Sequence, residues 1–208
     1  MALFSTALTA VLRTLVTQHH TVYPSLPPQG VYFEALVERA FLLTRRPFVP
    51  IEPGTPNAPA HDLISEDQRI SLKTETGTGT KIDRISITKL CTTEKDPWEA
   101  EALRAHALAH LARYDHMLML RAVWDKPIIH YQAIDIPIRL LLKIKGVPLD
   151  FVGKQRSRRS IGGDAIVKGK TAFHVHFDGS DGKCQIRGLR VDLCRMIDKW
   201  DYHIPGNP

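Results

Sequence analysis

The run L-I-S-E-D-Q-R-I-S-L-K-T-E, residues 63–75, constrains the fold more than any other part of the sequence. Apolar and polar residues alternate on both sides of a polar turn, Glu66-Asp67-Gln68. A period of two fixes which side chains share a sheet face, so the pattern predicts paired strands over 62–65 and 69–74. In that hairpin Asp62 opens one strand, while Lys73 and Glu75 close the other. Ser71, Lys73 and Glu75 fall on one face. A carboxylate, an ammonium and a second carboxylate at the rims of paired strands are either solvated ion pairs or a constellation suited to a charged substrate.

The elements around the hairpin bound its architecture. Leu8, Val11, Leu12, Leu15 and Val16 form a helical stripe over 5–18, ended by Pro24, Pro27, Pro28 and Gly30. A second helix is expected over 31–44, with Glu34 and Glu38 one turn apart on it. Residues 47–59 are too rich in proline for regular structure. After the hairpin, I-D-R-I-S-I-T (82–88) reads as a third strand. Asp96 as N-cap and Pro97 in the first turn open the longest helix, whose apolar face is Leu103, Ala107, Leu111, Tyr114 and Leu118. A strand over 128–136, a short helix over 137–145, strands over 172–177 and 184–186, and a final helix over 190–200 complete the reading. This order predicts an α/β protein with a mixed β-sheet flanked by helices. We expect a single domain over 1–208, with an N-terminal helix and break (1–29), a central core (30–137) and a sheet-completing part (138–208).

Composition narrows the function classes. The chain has 208 residues, 43% of them hydrophobic and 24% charged, which is ordinary for a globular protein with a substantial core. Its formal charge of +6 favours a polyanionic partner. Three cysteines without C-x-x-C spacing indicate neither a disulfide framework nor a zinc ribbon, which fits a reducing cytoplasm. No apolar run is long enough to span a bilayer, so no membrane partner is expected.

The hairpin groups have a specific chemical use. Phosphodiester hydrolysis needs a divalent cation that neutralises developing charge and activates water. Mg2+ takes oxygen ligands and commonly only one or two carboxylates. A lysine beside it can orient the water or stabilise charge on the phosphate. Asp62, Lys73, and a glutamate such as Glu75 or the helical Glu38 would supply this set.

Several segments in order carry a family resemblance: N-A-P-A-H-D before I-S-L-K-T-E, Pro97-Trp98-Glu99, Tyr114 to Arg121, Y-Q-A-I-D-I-P with L-L-L-K, F-D-G at 177–179, Q-I-R-G-L at 185–189, Cys194, and W-D-Y-H-I-P at 200–205. Together they resemble the SmaI-like type II restriction endonucleases, over about residues 30–205. The resemblance implies a PD-(D/E)-x-K core and Mg2+-dependent cleavage of double-stranded DNA, with CCCGGG as the candidate site. It implies catalytic roles for Asp62 and Lys73, with Glu38 or Glu75 as the further metal ligand. Ser71 stands where most of the superfamily has an acid, although not this branch. A homodimer cutting a palindrome, and a companion methyltransferase protecting the same site, are implied as partners. A same-fold nuclease acting on modified or non-palindromic DNA, and a DNA-binding module that does not cleave, are the alternatives.

DNA contact is expected from the stretch 154–170, which carries Lys154, Arg156, Arg158, Arg159, Lys168 and Lys170 against a single acid, Asp164. Arginine forks onto guanine edges, and lysine chiefly meets phosphate. Thr76, Thr78 and Thr80, separated by glycines, are further candidates for phosphate contact. His106 and His110 have zinc-compatible spacing but lack H-E-x-x-H chemistry. His174 and His176 share a strand face, where cross-strand packing is expected.

Overall fold

A computed structural model describes residues 3–50, 63–93, 97–153 and 159–206. Along the chain lie α1 (Thr6–Val22), α2 (Val31–Leu43), β1 (Val49–Pro50), β2 (Leu63–Ser65), β3 (Gln68–Glu75), β4 (Arg84–Thr92), α3 (Ala100–Leu111), β5 (His116–Asp125), β6 (Ile128–Asp135), α4 (Ile138–Leu141), β7 (Asp150–Val152), β8 (Ser160–Val167), β9 (Lys170–Asp178), β10 (Lys183–Arg190) and β11 (Arg195–His203). Short 3-10 turns occupy Leu142–Gly146 and Val191–Leu193. The protein is mixed α/β, with sheets flanked by helices, as the residue pattern predicts.

The chain divides into two compact units, Met1–Lys81 with Tyr114–Ile136 and Cys194–Pro208, and Ile82–Arg113 with Pro137–Leu193. The first is built on a six-stranded sheet in the order β1-β2-β3-β5-β6-β11. All its pairs are antiparallel except β3 with β5. A parallel pair cannot be closed by a tight turn, and the connection between these strands runs through the second unit. The expected hairpin is present. Glu66 and Asp67 have φ of 51° and 60°, as a two-residue type I′ turn demands, and they pair Ser65 with Gln68.

One face of this sheet carries the core. Leu8, Leu12 and Val16 of α1 and Phe33, Val37 and Phe41 of α2 pack with Ile70, Leu72, Leu118, Leu120 and Ala122. The side chain of Ser5 caps α1 by accepting a 3.3 Å hydrogen bond from the Leu8 amide. Alternation therefore turns Ser71, Lys73 and Glu75 to the opposite face.

The second unit is a five-stranded antiparallel sheet, β4-β10-β9-β8-β7. Phe173, Val175, Phe177, Cys184 and Ile186 are buried within it. Cys91 and Cys184 face each other across β4 and β10 as free thiols, consistent with the absence of a disulfide pattern. Gly163 lies so close to Val147 and Pro148 that a Cβ there would stand 2.0 Å from the Pro148 carbonyl oxygen.

Two sequence expectations are corrected. The long helix ends at Leu111, and Leu118 lies in β5. Leu111, Tyr114 and Leu118 keep a helical spacing, but M-L-M-L is buried on both sides, and such strands read as continuous apolar runs. The expected helix over 190–200 is instead a 3-10 turn followed by β11. The i, i+3 spacing of Val191, Cys194 and Ile197 imitates a helix, whereas alternate residues Trp200, Tyr202 and Ile204 pack on the core. Asp96 lies outside the described residues, and Glu99 holds the N-cap position of α3. The basic stretch resolves from Ser160 onward as the β8–β9 hairpin. No helix among the described residues is long and apolar enough to cross a membrane.

Candidate functional site

β3 organises the site. Its parallel register places Ser71 beside Met117, Lys73 beside Met119 and Glu75 beside Arg121. Ser71 is buried, and Lys73 and Glu75 are half-buried. On its other side, among the described residues, β3 pairs with β2 from Gln68 to Ile70. Asp62, immediately before β2, lies outside the described residues.

The two candidate glutamates have different surroundings. Arg121 Nε donates a 2.6 Å hydrogen bond to Glu75 Oε2, and the side chains of these residues are 0% and 12% exposed. Glu38 is half-buried on α2, which covers the Ile70–Leu72 face, whereas Lys73 and Glu75 point to the other. Among the described residues, the side chains of Lys73 and Glu38 form no hydrogen bond or ion pair. The candidate donors, Asp62, Glu38 and Glu75, are carboxylates throughout. Such donors fit Mg2+ better than a softer metal. No cluster of three or more His, Cys, Asp or Glu occurs among the described residues.

Sequence reasoning missed Arg121. The signal was one charged residue inside the apolar run M-L-M-L-R-A-V-W: a buried strand tolerates a guanidinium only when acceptors surround it. Here Nε reaches Glu75, one terminal nitrogen donates to Gln132 Oε1, and the other donates to the Lys81 carbonyl.

The threonine segment that follows β3 is unevenly available. Thr76 is buried and its carbonyl accepts a 3.0 Å hydrogen bond from Trp124 Nε1. Thr80 Oγ1 donates to the Gly77 carbonyl at 2.8 Å. Thr78, between them, is exposed.

Of the basic candidates, Lys154, Arg156 and Arg158 lie outside the described residues. Arg159 is exposed, its guanidinium carbon stands 4.7 Å from the Phe151 ring centroid, and its carbonyl accepts from Trp98 Nε1 at 2.7 Å. Lys168 and Gly169, with φ of 51° and 72°, form the two-residue turn between β8 and β9. That turn holds Lys168 and Lys170 exposed at the hairpin tip. His174 Nδ1 lies 2.9 Å from Asp164 on the neighbouring strand, the expected cross-strand packing. His176 is buried, and burial, followed by the charge of Arg187, lowers its affinity for a proton.

Comparison with known proteins places this geometry in context. The family model for SmaI, type II site-specific deoxyribonuclease, matches residues 32–202. The type II restriction enzyme SmaI of Serratia marcescens is 28% identical over 151 residues, which cover 71% of this chain. The chain spans 61% of the length of that relative. No solved structure matches.

Proposed function

Since this chain belongs to the SmaI family of type II site-specific deoxyribonucleases, we propose that it is a type II restriction endonuclease hydrolysing double-stranded DNA with Mg2+. The observation that carries the reading is the family match itself, which takes in the hairpin presenting Lys73. The β2–β3 hairpin, the parallel β5 and the helices over one sheet face support a PD-(D/E)-x-K core.

Asp62 and one of Glu38 or Glu75 would hold the metal, which supplies charge neutralisation and an activated water when bound. Lys73, a compact cation on the sheet face opposite the helices, orients the attacking water or steadies charge on the phosphate. Lys168 and Lys170 at the β8–β9 tip, together with Lys154, Arg156, Arg158 and Arg159, meet the duplex. Thr78 joins them as a phosphate contact, and Thr76 and Thr80 shape the segment that presents it. A G·C-rich palindrome, with CCCGGG as the candidate, suits arginine readout of guanine edges. A two-fold dimer would cut both strands, and a companion methyltransferase would protect the host's own sites.

Digestion of a plasmid with and without Mg2+, with the ends mapped by sequencing, tests the reading. Discrete ends at one palindrome that appear only with Mg2+ support it. Ends that depend on DNA modification point to the second kind of nuclease, and binding without cuts points to a non-cleaving module.

A further inference from the structure

One guanidinium ties together the strand that carries Lys73 and the segment that follows it. Arg121 is 0% exposed, in the middle of a strand buried on both faces. A charge in such a place is costly unless acceptors surround it, and the planar fork of arginine can serve several at once. The partners of Arg121 come from three directions. Glu75 is its neighbour across the parallel β3–β5 pair, Gln132 its neighbour across the antiparallel β5–β6 pair, and Lys81 ends the segment that leaves β3. Glu75 and Lys81 bracket residues 76–80, which are held further by the Trp124 bond to Thr76 and the Thr80 bond to Gly77.

Lys73 lies two residues before Glu75 on the same strand face, about 7 Å along the backbone. Whatever fixes Glu75 therefore fixes the end of the strand that aims Lys73. The carboxylate bonded to a buried guanidinium is also a poorer donor to a second cation than one facing water. We propose that Arg121 is a positioning residue for the reaction: it binds Glu75 and the Lys81 carbonyl, sets the strand end that presents Lys73, and withdraws Glu75 from the metal's ligands. The proposal rests on the nuclease reading above and deepens it, by giving Glu75 a supporting role beside Lys73 rather than a place among the metal's ligands.

The test compares steady-state cleavage by the full-length wild type, R121K, R121M and E75Q, over a range of Mg2+ concentrations, with thermal unfolding alongside. A displacement of about 1 Å at a reacting group lowers turnover about 100-fold. We expect R121M to lose kcat on that scale, with KM for the duplex and half-saturating Mg2+ within about twofold of wild type, and R121K to recover part of the loss. E75Q is expected to lower kcat without moving the Mg2+ midpoint. Should R121M not fold, the double variant R121M/E75L, which removes both buried charges together, takes its place. A folded Arg121 variant with wild-type kcat, or an E75Q protein that needs at least tenfold more Mg2+, overturns the proposal. If the wild type itself cuts no duplex under any condition, the nuclease reading fails, and the proposal falls with it by a separate route.

Discussion

The hydroxyl of Tyr131 donates a 2.7 Å hydrogen bond to His20 Nε2. Nδ1 of the same imidazole stands 2.9 Å from the Tyr23 carbonyl, an atom that can only accept. Nδ1 therefore carries a proton, and because burial disfavours the imidazolium the ring is neutral at pH 7, leaving Nε2 to accept from Tyr131. It stacks on Tyr202 at 3.8 Å and 9°, and burial, partly offset by the Tyr23 carbonyl, lowers its affinity for a proton.

Stability should follow from this. Above about pH 6.5 His20 is neutral folded and unfolded, and its contribution is complete. Below that pH the unfolded chain takes up the proton first, so stability falls toward the lowered folded value. His176, also lowered by burial, acts in the same direction. The urea midpoint should be flat from pH 8 to 7 and decline below 6.5, and H20Q should flatten the decline. A midpoint that rises on acidification through this window would contradict the neutral ring.

Lys73→Ala and Asp62→Ala should each lower cleavage at least about 100-fold, the scale of losing one electrostatic stabiliser. Duplex affinity, measured with Ca2+ in place of Mg2+, should stay within a fewfold of wild type. Retained cutting by either variant removes that residue from the proposed site.

The exposed Lys168 and Lys170 test the DNA face. If both meet phosphate, replacing them with alanine reduces the slope of log affinity against log salt by about 2. An unchanged slope places the duplex elsewhere.

Gly163→Ala should destabilise the second unit by about 2 kcal/mol, because the added methyl meets the Pro148 backbone carbonyl rather than a movable side chain. Gly79→Ala is the control, since no atom lies within 4 Å of a Cβ there. Its thermal midpoint should stay within a few degrees of wild type, and equal midpoints for the two variants would argue against the close approach.

The β2–β3 hairpin was legible because its period, its turn residues and its charged rims all agree. Two errors had a common origin. In M-L-M-L-R-A-V-W and in R-M-I-D-K-W-D-Y-H, tertiary burial decided the conformation. The first strand is covered on both faces, which erases the alternation that marks a strand. The second has a register shift between Met196 and Asp198 that breaks the pattern at its start.

The candidate site divides along the same line. Lys73 and Glu75 share a face because strand geometry requires it, and the sequence determined that much by itself, together with both helices, the hairpin and the family. It could not show that Glu75 meets Arg121, 46 residues later in the chain. That contact exists because β3 and β5 pair in parallel, and a parallel register is set by long-range packing, which local periodicity does not encode.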